Sequence, residues 1–102
     1  MARCLTDPDR DLVVHTPDNK RNLASAFLSV REEYDVAASK FPPFHSAHEG
    51  YAILLEEMRE LEQHVFTNQR NRSYPAMRKE ANQVAAMAIR FVVDICDKEN
   101  RA

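Results

Sequence analysis

Four side chains in this chain have the type and spacing to hold a hard cation. Glu57 and Glu60 stand three residues apart on one segment, and Glu80 and Gln83 stand three apart on the next. A step of three keeps each pair on a single helical face, so two neighbouring helices would gather four oxygen-bearing groups. Carboxylate and amide oxygens are the ligands that Mg²⁺ takes. Three carboxylates held together repel one another unless a cation or protons relieve them. The natural occupant is a hard divalent ion that keeps waters free for a phosphate substrate.

Such a site requires two helices side by side, and the pattern supplies them. The first helix is expected from about residue 17 or 19 to about 40, with Thr16 as N-cap and Pro17 at its first position. Leu23, Phe27, Val30, Tyr34, Ala37 and Ala38 recur along it at steps of three and four. Phe41-Pro42-Pro43-Phe44 stops it, because proline lacks a donor and pushes the preceding residue out of the helical region. Ser46-Ala47-His48-Glu49 is a capping box that opens the second helix, whose apolar seam is Tyr51, Leu54, Leu55, Met58, Leu61 and Val65. A polar stretch over residues 67–73 ends it near Phe66. The third helix is expected from Tyr74-Pro75 to about residue 98, with a seam of Met77, Ala81, Val84, Ala88, Phe91 and Ile95. Helices two and three then form an antiparallel hairpin that places the two pairs at similar height.

Between Val84 and Cys96 the only charged residues are Arg90 and Asp94, and five alanines fall between 76 and 88. So wide an apolar belt cannot be covered by two other helices of a small monomer. The expected architecture is therefore all-α, with three main helices whose hairpin joins a second copy in a four-helix bundle. A twofold homodimer is the simplest form and a homotetramer the larger one. With 102 residues the chain is one domain, read as a loosely held arm over 1–17 and a helical body over 18–102. A formal net charge of −2 and the lack of a basic run speak against nucleic acid as a partner. Charges interrupt every apolar stretch, which speaks against a membrane partner. Cys4 and Cys96 lack paired spacing, and the N-terminal residues lack an apolar signal core. Reduced thiols in a cytoplasmic protein are the expectation.

Glu56-Glu57-Met58-Arg59-Glu60, followed after 19 residues by Glu80-Ala81-Asn82-Gln83, resembles the E-E-x-x-E…E-x-x-D signature of the MazG-type all-α nucleoside triphosphate pyrophosphohydrolases. The stretch from Phe41 to Tyr51 also looks like the helix lead-in of small bacterial and phage-type relatives. Resemblance covers roughly residues 20–97. It implies a helical homo-oligomer that binds Mg²⁺, with Mn²⁺ as substitute, through Glu57, Glu60, Glu80 and Gln83. The implied reaction cleaves a nucleoside triphosphate between its α and β phosphates, giving a monophosphate and pyrophosphate. Glu56 or Glu57 would position the attacking water or take its proton, and Arg78, Lys79 and Arg90 are the cations nearest for phosphate oxygens.

The signature has Asp where this chain has Gln83. A neutral amide can still ligate, but it lowers the charge on which affinity depends. Asp94 does not substitute, being about 21 Å along the helix from Glu80 at about 1.5 Å per residue. A form that has lost catalysis and serves as a binding or structural subunit is the alternative function. Elsewhere, His45 and His48 have no cysteine beside them to suggest zinc, and no Glu-x-x-His pair suggests di-iron. Arg90 and Asp94, four apart on an apolar helix, read as an ion pair or as a substrate contact.

Overall fold

The computed structural model describes residues 17–67 and 69–98. The arm over 1–16, with the Thr16 cap, lies outside the described residues. Every regular element among those described is helical, and no strand occurs. The first helix, α1, spans Pro17–Lys40. It closes with the Phe41 amide donating to the Ala37 carbonyl at 3.0 Å before the proline pair prevents another turn.

The second helix, α2, spans Ala47–Val65 and starts as its sequence predicts. Extended Ser46 accepts from the Glu49 amide at 3.1 Å, and the Glu49 carboxylate reaches back to the amide of His45, one residue before the cap. Its last carbonyls are met by the Phe66 amide, the Thr67 hydroxyl and the Arg72 guanidinium, the last donating to Val65 at 2.8 Å. A short 3₁₀ turn, Gln69–Asn71, leads to α3, Tyr74–Phe91, capped by Ser73 accepting from the Ala76 amide at 3.2 Å.

The third helix was expected to stay α-helical to about residue 98. It widens instead into a π turn over Val92–Cys96. A π turn takes one more residue per hydrogen bond and shifts the register of the residues beyond it. Within this turn the Asp94 carboxylate accepts from the Phe44 amide of the first linker at 3.1 Å.

α3 is central: α1 and α2 each lean on it and scarcely touch one another. The core beneath them is thin, with Ala37, Phe44, Ala86 and Met87 buried and Val30, Tyr34, Ile53, Leu54, Phe91 and Ile95 packed partly against them. Gly50 makes this crossing close. A Cβ there would stand 2.7 Å from the Phe91 ring and 3.0 Å from the Phe44 ring.

Most residues of the two expected seams are part-buried, with Tyr51, Met58 and Ala81 the exposed exceptions. On α2 Gly50 is buried and Ile53, Leu54, Leu55, Glu57, Leu61, His64 and Val65 are part-buried, while Tyr51 remains 62% and Met58 46% exposed. On α3 the buried positions are Ala86, Met87 and Arg90, whereas seam residue Ala81 is exposed. The row Gln83, Met87, Arg90, Asp94 points inward.

Candidate metal centre and adjoining cleft

Because α2 and α3 run antiparallel, the end of α2 lies beside the start of α3, and the pairs spaced by three meet there. Glu57, Glu60 and Glu80 each offer a carboxylate oxygen, and these oxygens lie within 4.8 Å of one another. One hard ion bonding at about 2.0–2.6 Å needs little closing of that triangle to touch all three. Glu57 and Glu80 are half-buried and Glu60 is exposed, so the triangle opens to solvent on one side.

Gln83 is the fourth member, and its geometry is that of a donor. Oriented to donate, its amide nitrogen lies 3.1 Å from Glu57 Oε1 and 3.1 Å from Glu80 Oε1. Amide orientation is assigned from hydrogen bonding, and only this one satisfies both carboxylates. In this arrangement Gln83 bridges the two helices. To ligate a cation through its oxygen it would have to turn over.

The electrostatics match a site without enough positive charge. Burial raises the Glu57 carboxyl above its ordinary value, and the nearby charges of Glu60, Glu80, Glu56 and Glu33 add to the rise. Glu80 is raised first by burial, then by its hydrogen bond and charge interaction with Glu60. His64 and Lys79 oppose that rise, and His64 Nε2 stands 3.8 Å from Glu80 Oε2.

A cleft of about 550 Å³ opens from this cluster between α1 and α2, with α3 as its floor. Glu57 and Gln83 belong to both cluster and cleft. Glu33, Val36, Ala37 and Lys40 form one wall, and Glu49, Ile53 and Glu56 the other. Met87 and Arg90 lie on the floor, and Phe41, Pro42 and Phe44 close the far end. That volume lies within the range of about 300–1,000 Å³ common to small-molecule sites.

The remaining candidates are dispersed. Glu56 is exposed on the cleft wall, and Lys79 is exposed beside Glu80. Arg78 faces α1, donating to the Ser29 hydroxyl at 3.2 Å and to that of Ser25 at 3.4 Å. Arg90 is 4% exposed at the closed end, where it donates to the Pro42 carbonyl at 2.9 Å and pairs with Asp94 at 3.8 Å. Tyr34 packs against the core and Phe27 is 66% exposed, lining a smaller groove of about 280 Å³ on the other side of α1.

Two residues of the site escaped the sequence reading. His64 lies four positions after Glu60, a spacing that could have flagged it. Glu33 comes from α1 and faces Glu57 across the cleft; nothing in its local sequence separates it from the other charges of that helix. Comparisons with protein-family models, curated proteins and solved structures return no match.

Proposed function

We propose that the chain is a Mg²⁺-dependent nucleoside triphosphate pyrophosphohydrolase, converting a ribo- or deoxyribonucleoside triphosphate to the monophosphate and pyrophosphate. The single observation behind this reading is the triangle of carboxylate oxygens from two helices, one of which, Glu57, also lines a cleft of small-molecule size. An all-oxygen donor set suits Mg²⁺ or Mn²⁺, and carboxyls held above their ordinary values are groups that a divalent ion would relieve.

Glu57, Glu60 and Glu80 would hold the ion, with Gln83 joining if its amide turns. When bound, the ion would supply Lewis-acid neutralisation of the triphosphate. The other parts belong to the chain. Glu56, free on the cleft wall beside Glu57, accepts the proton of the attacking water. Val36, Ala37, Ile53 and Met87 give the base and sugar apolar walls. Lys40 on the cleft wall and Lys79, exposed beside Glu80, are the cations available for a departing phosphate.

Self-association belongs to the same reading. Leu23, Phe27, Leu28, Tyr51, Met58, Ile89 and Val92 are exposed over a core of four buried apolar residues. A second copy laid on this surface, completing a four-helix core, would cover what one chain cannot.

Gln83 favours a second reading, a helical oligomer of the same build without catalysis. Its amide already neutralises part of the repulsion that a cation would relieve. Pyrophosphate release across a panel of nucleoside triphosphates with Mg²⁺ and Mn²⁺ separates the two. The enzyme reading expects turnover of at least one nucleotide, reduced about 100-fold or more by Glu57→Ala or Glu80→Ala. No turnover by the native chain, with activity gained in Gln83→Asp, establishes the non-catalytic form. Silence of both chains removes the hydrolase altogether.

A further inference from the structure

The closed end of the cleft is built around a buried charge. Arg90 Nη2 donates to the Pro42 carbonyl at 2.9 Å, and Nη1 reaches Met87 Sδ at 3.7 Å. The guanidinium also lies over the Phe44 ring, 4.3 Å from its centroid. Asp94 Oδ2 is 3.8 Å from Arg90 Nη2 and accepts from the Phe44 amide at 3.1 Å. Two side chains one turn apart thus grip both the carbonyl of Pro42 and the amide and ring of Phe44. These are the residues through which α1 passes into α2.

Among the described residues, α1 is held by its packing on α3 and by this linker. It scarcely touches α2, and it meets α3 mainly through Ala37, Val30 and Tyr34. The bonds from Arg78 to Ser29 and Ser25 are exposed and comparatively long. Toward its start α1 exposes Leu23, Phe27 and Leu28. Because α1 packs on α3 and scarcely touches α2, its angle to α2 is fixed only through α3 and through the linker. Glu33 lies seven residues before Lys40, about 10 Å away at about 1.5 Å per residue.

We propose that Arg90 and Asp94 are positioning residues: through Pro42 and Phe44 they set the angle at which α1 leaves α2, and hence the width of the cleft between Glu33 and Glu57. The latch explains why an arginine is buried on an otherwise apolar stretch. The role holds for any ligand of the cleft, so it stands or falls separately from the hydrolase reading.

The test measures the angle itself. Spin labels at Glu32→Cys on α1 and Arg59→Cys on α2, both exposed, are placed in a Cys4→Ser, Cys96→Ser background. The labelled chain is diluted with unlabelled protein, so that pulsed electron resonance reads distances within one chain. One narrow distance distribution is expected for the parent. Asp94→Asn and Arg90→Met should broaden it and move it to longer separations, with far-UV circular dichroism still helical. Arg90→Lys keeps the charge without the forked donors and should fall between. Val84→Ala, which loosens α3 away from the linker, should leave the distribution narrow. The proposal is overturned if the latch variants keep the parental distribution, or if Val84→Ala broadens it equally. Should Arg90→Met lose its helicity, the near-isosteric Asp94→Asn and the milder Arg90→Lys decide by the same criterion.

Discussion

At the linker end of the cleft a buried guanidinium meets a carboxylate, a carbonyl and an aromatic face. At the other end three carboxylates face one another with one amide between two of them. Both ends draw on one row of α3, Gln83, Met87, Arg90 and Asp94, so the contrast is one of chemistry and not of scaffold. Where the protein supplies the counter-charge, the group is buried and fully used in holding the fold. Where it does not, the groups stay half-exposed, their carboxyls rise, and room remains for something else to supply the charge.

The largest expected effect breaks the balanced end. Arg90→Ala removes the stacked cation, leaves the Pro42 carbonyl unpaired and strands Asp94 beside an apolar core. A loss of about 3 kcal/mol is expected, since breaking a buried pair costs more than the pair contributes. Urea unfolding followed by circular dichroism measures it. A loss below about 1 kcal/mol would mean that the contacts of Arg90 contribute little to holding the linker.

Gly50→Ala tests the same end by shape and without charge. A methyl 2.7 Å from the Phe91 ring and 3.0 Å from the Phe44 ring must push them aside. Overpacking of this kind costs about 1–3 kcal/mol, partly offset by the better helix propensity of alanine. An unfolding midpoint equal to or above the parent's would show that the rings yield freely, so that Gly50 does not set the approach of α2 to α3.

Gln83→Glu sharpens the contrast from the other side. It exchanges a donor to two carboxylates for a further like charge. Without metal at neutral pH the variant should lose about 1–2 kcal/mol. Millimolar Mg²⁺ should return more stability to the variant than to the parent, because a ligand of the folded state stabilises in proportion to its affinity. Melting curves with and without Mg²⁺ make the comparison. Equal indifference to the ion in both chains would leave the carboxylates as surface acids.

Much of this architecture was legible in the sequence, because it rests on local signals. The Ser46 and Ser73 caps and the proline pair are short-range features, and they placed the helix boundaries to within a residue or two. The partnership of Glu57, Glu60 and Glu80 came from spacing and antiparallel geometry. The apolar seams were legible as well, apart from Tyr51, Met58 and Ala81, which stay exposed on the single chain. The π turn was hidden, because nothing in the local sequence of Val92–Cys96 marks it. Glu33 could not be singled out for the same reason: only the tertiary fold brings α1 across from α2.

The smallest expected effect is a slope, and its sign is set by the direction of the titrations. Glu57 and Glu80 hold their protons more tightly in the folded protein than at the ordinary value of 4.5 that the unfolded chain restores. Just above that value the folded chain still carries protons that the unfolded chain has released. Their contribution to stability is therefore complete below it and declines as pH rises through the folded values. Glu80→Gln removes one of the two groups and relieves part of the repulsion on the other. In metal-free buffer the decline from pH 4.5 to 7 should become shallower, with a gain of less than about 1 kcal/mol at pH 7. Near pH 4 the gain should vanish, because a protonated glutamate and a glutamine carry the same charge. Urea midpoints across that range provide the measurement, and protonated His64 would work against the trend by favouring ionised Glu80. A slope unchanged by Glu80→Gln would mean that the carboxylates do not feel one another, and the contrast between the two ends of the cleft would disappear.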